Sequence, residues 1–131
     1  MTPRKRLHAA VAVIKRRGRI LICQRHDHDS FGGLWEFPGG KREDGESWEQ
    51  CLRRELREEL GVAVRSITLY GHMRHEFQDG TVQFRVFRCL IARGNPRPLD
   101  AQALRWVWPQ QLPRYQFPPA NRSLISRLSR S

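Results

Sequence analysis

Glu55, Glu58 and Glu59 are three carboxylates packed into the segment SWEQCLRRELREELGV, whose leucines recur at helical spacing. With Glu55 set at 0° and about 100° per residue, Glu59 lies near 40° and Glu58 near 300°, so the acids share one side. On the same wheel Leu52, Leu56 and Leu60 fall near 60°, 100° and 140°. The acids therefore border the apolar stripe, where a purely solvating face would lie opposite it. Carboxylates one turn apart repel one another unless something neutralises them. Hard oxygen donors at this spacing suit Mg²⁺ or Mn²⁺. The competing reading is that Arg53, Arg54 and Arg57 simply pair with these acids on a solvated helix.

The flanks predict how the helix is held. Ser47 followed three residues later by Gln50 reads as a capping box, Gly61 as a stop, and Gly39, Gly40 and Gly45 mark the preceding loop. The spacing predicts about four helical turns between them.

From Gly40 the chain runs through five residues to Glu46, then seven more to Arg54, Glu55, Leu56, Arg57, Glu58, Glu59, Leu60, Gly61 and Val62. This pattern resembles the Nudix box at every specified position, which favours metal holding over the solvated-helix reading. Four further matches extend the resemblance over almost the whole chain: the first strand pair, LWEFPGGK at 34–41, Asp100 six residues before Trp106, and FPPAN at 117–121. They are similar to features of MutT-type members of the Nudix hydrolase family.

The resemblance implies a Nudix fold of α/β (α+β) class, with a mixed β-sheet sandwiched between helices, in a single domain over 1–131. It implies metal-dependent hydrolysis of nucleoside triphosphates, with 8-oxo-dGTP converted to 8-oxo-dGMP and pyrophosphate in nucleotide-pool sanitation. Glu55, Glu58, Glu59 and the Gly40 carbonyl are the implied metal ligands, and Arg54 the residue that orients the carboxylates. Either Glu59 or Asp100 is the implied proton acceptor. Asp100 stands where the resemblance leads one to expect Glu, a side chain one methylene longer. Arg25 is the implied phosphate contact, the Phe37 backbone and Asn121 the implied base readers. Gly80 departs from the pattern, since MutT-type members can carry Arg beside the Asp equivalent to Asp79. The alternatives are a Nudix hydrolase of another NTP, a dinucleoside polyphosphate or RNA 5′ triphosphate, and a non-catalytic base-recognition module.

Elements able to position these groups can be read in order. Leu7–Lys15 and Arg19–Arg25 read as two strands joined at Arg17-Gly18, the first buried on both faces. Residues 26–33 (HDHDSFGG) read as a loop able to close over a ligand. Val64–Leu69 and Gln83–Ala92 read as a second antiparallel pair with a turn signal at Asp79-Gly80. Phe77, Val82 and Phe84 border it, as core or as a purine platform. The GNPRP segment at 94–98 ends strand structure, and Phe117–Arg130 reads as a closing helix with Pro in its first turn.

The chain has 131 residues, enough for one modest core, and a net charge of +11 with a pI near 11.1, which favours polyanionic partners. Charge alone does not separate nucleotide polyphosphates from nucleic acid. The basic residues are scattered without the aromatic interleaving of a single-strand platform, so general solubility is the plain reading for most of them. It is the resemblance that implies a nucleoside triphosphate partner, with no stable nucleic acid partner. The apolar run Ala9–Ile14 is too short to span a bilayer and no cleavage pattern follows it, so the expectation is a cytoplasmic monomer with no membrane association. Cys23, Cys51 and Cys89 are odd in number and far apart, which predicts buried reduced thiols. The histidines lack zinc-ligand spacing.

Overall fold

The computed structural model describes residues 3–130. Strand β1 (Lys5–Arg16) is the member that most other elements are built on. It turns through Arg17 and Gly18, both at positive φ, into β2 (Arg19–Gln24). It also runs parallel to β6 (Gly80–Arg93) for ten residues and antiparallel to β4 (Gly39–Lys41). The sheet is ordered β3-β2-β1-β6-β5, where β3 is Trp35–Glu36 and β5 is Ala63–Phe77; β7 (Ala103–Val107) pairs with β2.

Alternation along β1 explains why Ala9–Ile14 is apolar throughout. Ala10, Ala12 and Ile14 face α1 (Trp48–Leu60) with Leu52, Leu56, Leu60 and Phe87. Val11 and Val13 face the opposite layer, where Leu112 and the helix α2 (Arg122–Ser129) supply Leu124 and Leu128. The sheet thus lies between helices, and β1 belongs to two cores.

α1 carries both halves of the capping box: Gln50 N–H donates to Ser47 Oγ at 3.0 Å and Ser47 N–H donates to Gln50 Oε1 at 2.8 Å. It stops at Gly61, whose φ of 72° is the left-handed value a side chain disfavours. The second strand pair is longer than simple alternation predicts, running to a turn at Gln78 and Asp79. Register shifts at Arg65/Thr68 and Leu69/Gly71, with Ser66 at φ 56°, interrupt the period of two and conceal the strand's continuation. The closing helix starts later than expected, at Arg122: Pro119 keeps Pro118 extended, and a 3₁₀ turn over Pro119–Asn121 precedes the helix. Cys23, Cys51 and Cys89 are buried free thiols; burial foremost pushes all three upward, Cys51 to about 11 and Cys89 to about 12.

Candidate active site

Strand β4 and helix α1 meet at the glycines of the box loop. Gly40 packs on Glu55 so closely that a Cβ there would lie 2.4 Å from the carboxylate carbon, so only glycine allows the contact. Gly39 N–H donates to Glu59 Oε2 at 3.1 Å. Arg54 gathers the remaining acids: Nε donates to Glu46 Oε2 at 2.6 Å and Nη2 to Glu46 Oε1 at 3.0 Å. Its Nη1 donates to Glu55 Oε1 at 2.9 Å and Glu58 Oε2 at 3.3 Å, and Nη2 also reaches the Lys41 carbonyl at 2.9 Å. These bonds hold Glu46 down to about 2 and raise Arg54 above its ordinary value.

Glu59 is treated differently. Burial foremost pushes its carboxyl up to about 8; the Gly39 N–H opposes this, while Glu36, Glu55 and Asp100 add to it. Glu55 is also raised, by burial against the pull of Arg54. Among the described residues Glu59 has no cationic partner, although three other acids act on it. That uncompensated negative site, built from hard oxygen donors, fits a divalent cation. In the arrangement observed, no three acids, histidines or cysteines among the described residues converge closely enough to hold an ion. The physical reason is that Arg54 engages Glu55 and Glu58 while Gly39 engages Glu59. The Gly40 carbonyl accepts from Cys51 Sγ at 3.6 Å.

Gly39 and Gly40 also line a cavity of about 300 Å³ whose lining includes the apolar Phe37, Met73, Val82 and Phe84 together with Asn121. Phe37, buried, stacks on Phe117 at 5.2 Å between ring centres. Asn121 is buried and donates from Nδ2 to the Pro118 carbonyl at 3.2 Å, leaving its amide oxygen able to accept. Arg25 enters from the end of β2, where Nη1 donates to Glu36 Oε2 at 2.7 Å and Nε to the Ser30 carbonyl at 2.7 Å. Phe31 and His75 meet edge to face at 5.6 Å beside the cavity.

Arg25, Phe37, Gly40 and Asn121 therefore line one cavity, with Glu55 and Glu59 held against its glycine wall. Asp100 lies on an exposed loop tied to this assembly: Leu99 N–H donates to the Glu59 carbonyl at 3.1 Å and Gln102 N–H to the Gln24 carbonyl at 2.9 Å. Its charge raises both Glu59 and Glu36. Phe77 is not brought in. It sits half-buried at the last position of β5, next to the turn, while Met73 and His75 from the same strand line the cavity with Val82 and Phe84. Glu36, Phe117 and the Phe31–His75 pair were not singled out from sequence. A charge set between the apolar Trp35 and Phe37 was the available signal for Glu36, whose carboxyl burial raises against the opposing pull of Arg25.

Comparison with known proteins gives concordant results. The NUDIX domain model matches residues 9–127. An 8-oxo-dGTP diphosphatase of Haemophilus influenzae is 36% identical over 95% of this chain and 93% of its own length. A CTP pyrophosphohydrolase of Escherichia coli is 34% identical over 92% and 90%. A MutT structure, from a study of the Aliivibrio salmonicida and Vibrio cholerae proteins, superposes with a TM-score of 0.79 at 35% identity, covering 96% of this chain and 98% of that one.

Proposed function

This chain belongs to the NUDIX domain family, and on that premise we propose that it is an 8-oxo-dGTP diphosphatase, releasing 8-oxo-dGMP and pyrophosphate and so clearing an oxidised nucleotide. Hydrolases of this family generally require a divalent metal. Mg²⁺ is the ion this hard-oxygen site suits, with Glu55, Glu58, Glu59 and the Gly40 carbonyl to hold it. The observation that carries the reading is continuity: Gly39 and Gly40 form one wall shared by the acid cluster and by the cavity bearing Phe37 and Asn121. Substrates named for the relatives, 8-oxo-dGTP and CTP, support a nucleoside triphosphate in that cavity.

When bound, the ion neutralises phosphate oxygens and acidifies water. The protein's own contributions follow from the geometry. The base enters between Phe37 and the residues facing it, where Asn121 presents both a donor and an acceptor to a purine edge. Arg25 stands at the cavity wall with a forked donor for phosphate once it exchanges its bond with Glu36. Arg54 holds Glu55 and Glu58 side by side, and these carboxylates must turn from it to take up their load. Burial keeps Glu59 protonated near neutral pH in the metal-free chain. With the ion held that proton is lost, and the Glu59 carboxylate accepts the proton of the water that attacks the β-phosphorus; the bond from that phosphorus to the oxygen bridging to the α-phosphorus breaks, and the nucleoside monophosphate leaves. Asp100, exposed on its loop, acts on Glu59 through its charge.

The test is pyrophosphate release with Mg²⁺ from 8-oxo-dGTP, dGTP and CTP side by side, compared as kcat/KM. The expected result is a preference of about 10²-fold or more for the oxidised nucleotide, reduced to within about tenfold of dGTP by Asn121→Ala, since a site built around a hydrogen bond discriminates strongly. A higher kcat/KM on CTP would move the substrate to a cytosine nucleotide. An unchanged preference in Asn121→Ala would remove that residue from base reading.

A further inference from the structure

The arginines scattered through the sequence are not scattered in space. Beyond Met73, Phe84 and Ala120, which form part of the nucleotide cavity's lining, lies a second and larger concavity of about 920 Å³. His8, Trp48, His72, Arg74, Arg85 and Arg122 line it, brought together from β1, the start of α1, β5, β6 and the start of α2. No acid contributes to the lining.

Arg85 is held here but not neutralised. Arg85 lies 4.5 Å over the Trp48 ring, Arg42 covers the same ring at 5.5 Å, and His8 meets it edge-on at 5.8 Å. Stacking fixes the plane of a guanidinium while leaving its N–H edge free to donate. Among the described residues neither Arg85 nor Arg122 has a carboxylate partner, whereas Arg74 is paired with Glu76 at 2.7 Å. Eight of the chain's 13 acids lie between Glu36 and Glu59, so the remainder of the surface is basic with little to offset it.

We propose that this groove binds the phosphodiester backbone of single-stranded nucleic acid, beside the nucleotide cavity and sharing the wall of Met73, Phe84 and Ala120 with it. Several donors along a concave, acid-free surface match a chain of phosphates, and Trp48, its ring already covered by Arg85 and Arg42, holds part of that donor set in place. A membrane surface fits less well. The exposed large apolar side chains, Phe31, Leu69, Leu99 and Trp108, all lie outside the groove, whose own large apolar side chains, Trp48, Met73 and Phe84, are at least half-buried in its wall.

The experiment is fluorescence anisotropy of a labelled oligo-dT 20-mer with the full chain between 50 and 200 mM NaCl. Phosphatidylglycerol vesicles and polyglutamate serve as rival polyanions. Arg85→Gln with Arg122→Gln is expected to weaken binding at least fivefold and to flatten the log K against log salt slope by about 1.4, two phosphates at about 0.7 each. Nucleotide turnover should stay unchanged. The single reversal Arg122→Glu provides a second variant if the double one is poorly folded, and should also weaken binding. A control pair, Arg16→Gln with Arg19→Gln, removes equal charge at the opposite end of β1 and should have little effect. The proposal is overturned if the oligonucleotide does not bind at 50 mM salt, if the groove variants bind as the parent does, or if the control pair weakens binding equally. Binding of vesicles or polyglutamate as tight as that of the oligonucleotide also overturns it. None of these outcomes depends on which nucleotide is hydrolysed.

Discussion

At the scale of single residues, the two glutamates on the glycine wall are tuned in opposite ways. Glu55 is shared with Arg54, whereas Glu59 has only a backbone donor and a burial-raised carboxyl near 8. Glu59→Gln is expected to lower kcat by about 10²–10⁴ while the fold persists, because a well-placed base contributes that much. The same residue sets a pH dependence. Between its ordinary 4.5 and about 8, the folded protein retains a proton that the unfolded chain has released. Metal-free stability should therefore fall as pH rises through that window and level off above it. Melting temperatures across pH 4–9 check this, with Glu59→Gln expected to remove the slope. Gly40→Ala probes the facing partner: its Cβ would lie 2.4 Å from the Glu55 carboxylate carbon and push that side chain aside. A displacement of this kind should lower kcat by about tenfold or more, with little change in melting temperature.

Among the elements, α1 was the most legible from sequence. Ser47, Gln50 and Gly61 state both ends of it in local chemistry, and Leu52, Leu56 and Leu60 face the core where the helical wheel puts them. Leu56→Ala should cost about 2–5 kcal/mol in urea unfolding, because the side chain is fully buried against the sheet and its removal leaves a cavity. The first hairpin was legible for the same reason, through Arg17-Gly18. Strand β5 was not, because bulges near Ser66 and Tyr70 reverse the alternation that would have revealed its length. Among site residues, those inside contiguous motifs could be found from spacing. Glu36 could not, because its partnership with Arg25 depends on β3 lying beside β2, a pairing between residues 11 apart with no local signature.

On the scale of the whole molecule, sequence conveyed the amount of charge and not its distribution. Arg74 and Arg85, separate from each other and from Arg122 in sequence, line one groove together with Arg122, the first residue of α2. Acid is concentrated around the box helix and base is spread elsewhere. Approach of a polyanionic substrate is accordingly favoured by the general field, while the carboxylates at the catalytic wall oppose it until they carry a cation. Among the described residues no helix is long and apolar enough to cross a membrane.

The sheltered thiols have a consequence for the conditions in which the protein can work. A cysteine is attacked by peroxide mainly as thiolate, and Cys23, Cys51 and Cys89 are each buried with that form suppressed at neutral pH. On the proposed function the substrate arises by oxidation, and the protein meets the same oxidants that make it. Its buried thiols are shielded from that exposure, while Met73 lines the cavity and Cys51 bonds to the Gly40 carbonyl, so oxidation at either would reach the site directly.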